Sequence, residues 1–157
     1  MIRKCTLVDI TRIYYIINEA ARSYDGVIPA DCYHQPYMPL PELEREMKRM
    51  DFYGWVSDGT LVGVMGIEPV KDVTLIRHAY VLPLWQNKGI GSGLLKHLMT
   101  LVKTKRLLVG TWTANINAIR LYERYGFKLQ PNKDALLLAY WDISPRQIET
   151  SIAMEKE

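Results

Sequence analysis

The stretch Val81-Leu82-Pro83-Leu84-Trp85-Gln86-Asn87-Lys88-Gly89-Ile90-Gly91-Ser92-Gly93 constrains this chain most, because it runs from a strand end through a glycine-rich turn into a helix. Glycines spaced by one residue remove Cβ atoms where backbone must approach a bulky ligand, and they permit dihedrals that side chains forbid. Leu94, Leu95, Leu98, Leu101 and Val102 follow at helical spacing, which puts the turn at a helix N-terminus with unpaired N–H groups pointing outward. With Lys88 beside it, that geometry binds phosphate. Two familiar phosphate loops are excluded by spacing. A Walker A loop places its lysine after the glycines, and here Lys88 precedes them; the dinucleotide pattern Gly-x-Gly-x-x-Gly is missed by one position at Gly93.

The rest of the chain reads as a platform and a second wall. Arg3 to Leu7 is a short strand, and Asp9 caps a helix carrying Ile10, Ile13, Ile17, Ala20 and Ala21 that stops by Gly26. Tyr24 to Pro41, with its prolines, tyrosines and His34, is an ordered but irregular loop of a length that is often functional. Pro41 opens a helix with Glu42, Glu44 and Glu46 early and Lys48 and Arg49 late, the order the helix dipole favours. Its buried stripe is Leu43, Met47 and Met50. Phe52 to Ser57 and Thr60 to Glu68 are strands joined by Asp58-Gly59, a hairpin signal because a type I′ turn needs positive φ. Strands follow at Val73 to Val81 and Leu107 to Thr113, then a helix from Asn115, a strand from Phe127 and a last strand near Ile148 to Met154. Asp134 to Trp141 reads either as a helix or as an inserted loop. This order predicts an α+β three-layer plan, a mixed central sheet flanked by helices.

A second motif joins the first. Gln86-x-x-Gly89-x-Gly91 resembles the acetyl-CoA pyrophosphate loop of the GNAT N-acetyltransferase superfamily, and Asn115-x-x-Ala118-x-x-Leu121-Tyr122-Glu123-Arg124-x-Gly126-Phe127 resembles its second cofactor segment. Ser151-Ile152-Ala153-Met154-Glu155-Lys156 is similar to its closing strand. The resemblance covers Val73 to Lys156, and the N-terminal half matches in element order alone. It implies that the strands ending at Val81 and Thr113 splay apart around the thioester of acetyl-CoA. It further implies that backbone of Val81 and Leu82 pairs with the pantetheine arm, with an N–H near Leu82 facing the thioester oxygen. Gln86, Asn87, Lys88, Gly89, Ile90, Gly91 and Ser92 would surround the pyrophosphate, and Asn115 and Ala118 would hold the pantetheine.

Acetyl transfer to an amine also needs a proton donor for the leaving thiolate. The resemblance assigns that role to Tyr122, whose phenol stays protonated at neutral pH. A base is needed too, since neutralising a lysine-like amine at pH 7 costs about 4.6 kcal/mol. The family's base positions fall here on Leu75 and Arg77, neither of which can serve. His78 points to the opposite face of a regular strand, and a bulge would reverse it. Glu68, His34, Asp25 and water are the alternatives, and the base stays unassigned.

Composition sets the remaining bounds. A chain of 157 residues, 48% apolar, suits one domain over 1–157 with a core that needs no staples. A net charge of +3 with scattered basic residues argues against nucleic acid. Cys5 and Cys32 are expected to be inert thiols, and the lack of an 18-residue apolar run or cleavable leader predicts a cytoplasmic protein without membrane partners; no metal is expected. Trp55, Trp85, Trp112 and Trp141 read as packing residues, and Arg77 as part of a surface ion pair. The expected activity is direct transfer from acetyl-CoA to a primary amine, of a small molecule or a peptide, in a ternary complex. The rivals are a CoA-binding sensor or assembly module without catalysis and a transferase of a longer acyl group. A homodimer formed along the splayed strands is compatible with the sequence.

Overall fold

A computed structural model describes residues 1–156. A seven-stranded sheet of order β1-β2-β3-β4-β5-β7-β6 forms its centre. In chain order the elements are β1 (Ile2–Lys4), α1 (Ile10–Ala21), α2 (Leu40–Arg49), β2 (Asp51–Ser57), β3 (Thr60–Val70) and β4 (Val73–Val81). They continue with α3 (Ile90–Met99), β5 (Arg106–Trp112), α4 (Ile116–Arg124), β6 (Lys128–Leu129), α5 (Lys133–Tyr140), α6 (Pro145–Glu149) and β7 (Ser151–Lys156). Among the described residues only β4 and β5 run parallel; every other pair is antiparallel. The expected mixed α+β plan is therefore present.

Local chemistry explains most boundaries. Asp58 and Gly59 both take positive φ, 50° and 77°, as the β2–β3 hairpin demands. Pro41 lies in the first turn of α2, where a missing N–H costs nothing. Asp9 does not cap α1 with its side chain. Instead Thr6 and Asp9 form a capping box around the 3-10 turn Leu7–Asp9, and Arg3 grips the Asp9 carboxylate at 2.8 Å. The open reading of Asp134 to Trp141 resolves as helix α5, which buries Leu136 and Leu137. The last strand starts later than expected: Ser144 caps the short α6, with Pro145 in its first turn, and β7 begins only at Ser151.

Two apolar layers hold the helices to the sheet. Val73 and Leu75 of β4 and Leu108 of β5 pack on Leu136, Leu137 and Ile148 of α5 and α6. The larger cluster joins Ile13, Ile16 and Ile17 of α1, Leu43 of α2 and Leu94, Leu95 and Leu98 of α3 to the strands. Helices α1, α2, α5 and α6 cover one face, and α3 and α4 the other.

Candidate active site

The parallel pairing of β4 with β5 ends at Ile76 and Val109, although β4 continues to Val81 and β5 to Trp112. Beyond that point the strands separate, and a cleft of 610 Å³ opens, a size typical of small-molecule sites. Gly91 of α3 and Ala118, Leu121 and Tyr122 of α4 line it from one face of the sheet. Glu42 and Glu46 of α2, with Tyr24 and Tyr37 of the long loop, line it from the other. The cleft thus passes through the sheet at its one parallel junction.

On the α3 side the site is made largely of backbone. Asn87 and Gly89 hold positive φ, 61° and 83°. A Cβ at Gly89 would meet nothing within 4 Å, so the dihedral, not crowding, requires glycine there. Gly93 differs, since its Cβ would lie 2.6 Å from the Trp55 ring; it serves the packing of α3 on β2. No side chain caps α3, whose first backbone bond runs from Gly93 N–H to Gly89 C=O at 2.9 Å. The N–H groups of Ile90, Gly91 and Ser92 precede that bond and face outward as an anion site requires. Gln86, Asn87 and Lys88 are exposed around the turn. The Gln86 amide donates to Val81 C=O at 2.9 Å, and the Lys88 ammonium lies 5.6 Å from the Trp85 ring centre. Leu82 is buried, and its N–H donates to Val62 C=O at 2.9 Å. That N–H therefore points into β3, away from the cleft.

Helix α4 supplies the opposite wall. Asn115 caps it, accepting from Ala118 N–H at 3.4 Å, while its amide donates to Thr111 at 3.3 Å. The far end closes as a Schellman motif: Gly126, φ 93°, donates to Glu123 C=O, and Phe127 N–H donates to Tyr122 C=O at 3.1 Å. The hydrophobic contact of that motif is Phe127 against the Tyr122 ring, centroids 5.5 Å apart. The Gly126-Phe127 pair thus fixes Tyr122 at the cleft. Burial pushes the Tyr122 phenol well above its ordinary value, so it is protonated at any physiological pH.

Side chains brought from distant segments build the α2 side. Opposite Met65, β4 carries an extra residue: Val64 pairs with Tyr80 but Gly66 with Arg77. The bulge gives His78 a φ of 54° and turns it to the face of Arg77. Its Nε2 lies 2.9 Å from Glu46 Oε1, and its ring stacks on Phe52 at 5.9 Å. Arg77 is 9% exposed and bridges Glu46 and Glu68, each at 3.3 Å, while Arg49 binds Glu68 at 2.9 Å. Arg77 is therefore part of a buried network, not a surface pair. Burial opposes ionisation of Glu46, but the hydrogen bond with His78 and the charges of Arg77 and Arg49 outweigh it and bring the carboxyl down to about 2. Burial lowers the pKa of His78, against the pull of Glu46.

These contacts sort the candidate bases. Glu68 is held by two arginines, Leu75 is in the core, and Asp25 is exposed outside the cleft lining. His34 lines the cleft, with Nδ1 at 2.7 Å from Pro36 C=O. Glu46 and Tyr80 went unnoticed, whereas Tyr24 and Tyr37 come from the loop whose tyrosines suit an acceptor pocket, and they do line the cleft. Tyr24 stacks edge-on to Tyr37 and Tyr80, and Trp112, read as packing, donates its indole N–H to the Tyr37 hydroxyl at 3.0 Å. The signal for Glu46 was available: it sits three residues after buried Leu43 and four before buried Met50, so a carboxylate lies on an apolar stripe. Among the described residues no group of three or more His, Cys, Asp or Glu is arranged to hold a metal, and no helix is long and apolar enough to cross a membrane.

Comparisons with known proteins bear on the family and the fold. The family model described as Acetyltransferase (GNAT) family matches residues 12–127. The chain is 43% identical over 94 residues to the spermine/spermidine N(1)-acetyltransferase of Bacillus subtilis, a match covering 52% of this chain and 61% of that protein. It thus spans less than two thirds of that relative's length. Among solved structures it is similar to the PaiA N-acetyltransferase of Thermoplasma acidophilum in complex with coenzyme A, with a TM-score of 0.72 and 20% identity over 100% of this chain and 98% of that one. It is similar also to a GNAT-family acetyltransferase of Staphylococcus aureus Mu50, with a TM-score of 0.77 and 15% identity over 99% and 97% of the two chains. These structures share the fold.

Proposed function

The chain belongs to the GNAT acetyltransferase family, and we propose that it moves the acetyl group of acetyl-CoA to a primary amine of a small aliphatic polyamine by direct attack in a ternary complex. The observation that carries this reading is the cleft through the β4–β5 split, open to both faces of the sheet. Acetyl-CoA enters from the α3–α4 face. Its pyrophosphate meets the N–H groups of Ile90, Gly91 and Ser92 with Gln86, Asn87, Lys88 and Gly89 around it, and its pantetheine runs along Val81 and Leu82 past Asn115 and Ala118. Because the Leu82 N–H is engaged by Val62, strand alternation gives the thioester oxygen the N–H of Val81 instead. Tyr122 protonates the leaving sulfur.

The amine arrives from the α2 face. Glu42 and Asp142 line that side outside the ion pairs of the described residues, and the tyrosine cluster offers ring faces to a cation. A linear polyamine, apolar between its ammonium groups, suits such a wall, and the substrate in the name of the Bacillus subtilis relative is of this kind. The test is thiol release from acetyl-CoA with spermidine, an alanine-ended peptide or no acceptor. Release at least tenfold faster with spermidine is expected. Tight acetyl-CoA binding with no amine-dependent release would instead identify a CoA-binding module, and faster turnover of propionyl-CoA would identify a longer-acyl transferase.

A further inference from the structure

Five charged or titratable groups converge beside the cleft where β4 bulges: Glu46 and Arg49 from α2, Glu68 from β3, and Arg77 and His78 from β4. Glu42, one turn before Glu46, also faces His78. Four of them neutralise one another as two carboxylates and two guanidiniums. His78 is the remainder, and its backbone is the strained one, at φ 54° in a residue that is not glycine. A conformation of that kind persists only where the surroundings enforce it. The β4 bulge sets that backbone, and the Glu46 bond at 2.9 Å and the Phe52 ring at 5.9 Å hold the side chain.

We propose that His78 accepts the proton of the substrate ammonium at Nδ1, and that Glu46 is the positioning residue that fixes its tautomer and ring orientation. This rests on the acetyl-transfer reading above. Glu46 is an anion held by Arg77 and Arg49, so it can only accept, and Nε2 must carry the hydrogen between them. The lone pair is then on Nδ1. Both His78 and Tyr122 line the one cleft, from opposite faces of the sheet, which separates proton removal from proton delivery. Burial lowers the pKa of His78, which keeps it unprotonated and able to accept at neutral pH.

The proton balance closes. The ammonium gives one proton to Nδ1 and becomes nucleophilic; its nitrogen bonds the acetyl carbon, and the C–S bond breaks. Tyr122 passes its hydrogen to sulfur and recovers the second nitrogen proton. His78 releases its proton to solvent, leaving amide, CoA thiol and one net proton.

The experiment uses His78→Asn, because Asn tolerates positive φ, and Glu46→Gln. Acetyl-CoA affinity, kcat and pH profiles are measured with spermidine, and the imidazole tautomer is read by long-range proton–nitrogen NMR on labelled protein. His78→Asn is expected to bind acetyl-CoA as wild type does and to lose kcat by roughly a hundredfold or more. Glu46 favours the charged imidazole, so Glu46→Gln is expected to move the acidic limb of kcat/KM to lower pH, which a purely structural loss would not do. A His78→Asn enzyme within threefold of wild-type kcat, with the same acidic limb, overturns the proposal. If wild type binds acetyl-CoA but leaves spermidine untouched, the polyamine reading fails, and the tautomer decides this one: hydrogen on Nε2 supports it, hydrogen on Nδ1 overturns it.

Discussion

The two faces of the β4–β5 split are built by different means. On the α3–α4 face most of the groups proposed to meet the cofactor are main-chain N–H groups of one turn and one helix start, set by Gly89 without a side-chain cap, with Asn115 and Tyr122 of the second wall as the side-chain contributions. On the α2 face the working groups are side chains gathered from afar, with Glu46 reaching His78 across 32 positions and Trp112 reaching Tyr37 across 75. A backbone site tolerates changes in neighbouring side chains but no change in dihedral. A side-chain site is the reverse, and its chemistry can change without disturbing the cofactor.

If that division is real, damage to one face should spare the other. The largest effect on folding is expected for Arg77→Met, which strands Glu46 and Glu68 beside a single remaining arginine. Breaking such a pair costs about 3–5 kcal/mol, so the urea midpoint should fall sharply while acetyl-CoA affinity of the folded fraction stays within about twofold. An equal loss of affinity would show the faces to be coupled. Next, Tyr122→Phe should lower kcat by roughly a hundredfold with acetyl-CoA affinity and stability intact, because the ring keeps its contact with Phe127. An unchanged kcat would remove Tyr122 from proton transfer. Smallest is Gly93→Ala, whose methyl must displace the Trp55 ring from 2.6 Å. A destabilisation of about 1–3 kcal/mol is expected, with KM for acetyl-CoA unmoved, and a raised KM would place Gly93 in the cofactor site.

The same contrast explains what could be read from sequence. The glycine turn, the Asn115 cap and the Gly126-Phe127 stop are local devices whose spacing is their structure, so β4, α4 and the start of α3 were visible within a residue or two, while Leu101 and Val102, read as helical, lie beyond the end of α3 at Met99. The bulge at His78 was not. Nothing in Arg77-His78-Ala79 marks an extra residue; it exists because Gly66 lets β4 backbone and Met50 crowd to 3.0 Å from where a Cβ would stand. Likewise Arg77 looked like a surface residue because its partners, Glu46 and Glu68, come from α2 and β3. Pairing between strands and helices decides such sites, and a linear pattern does not carry it. Ser144-Pro145 marks the start of α6, a cap and first-turn proline that the strand expected from Ile148 passed over.

The most direct test is calorimetric titration of acetyl-CoA into wild type and into a Gly89→Glu, Gly91→Glu double variant, with folding checked by circular dichroism. The added side chains put bulk and negative charge where the pyrophosphate would lie; the space at Gly89 is open although its φ of 83° strains the substitution, and at Gly91 the added Cβ meets Leu121 at 3.6 Å. Saturable binding by wild type, abolished in a folded variant, is the predicted result. Binding that survives in the variant, or no binding by folded wild type, would contradict a cofactor site at the α3 turn.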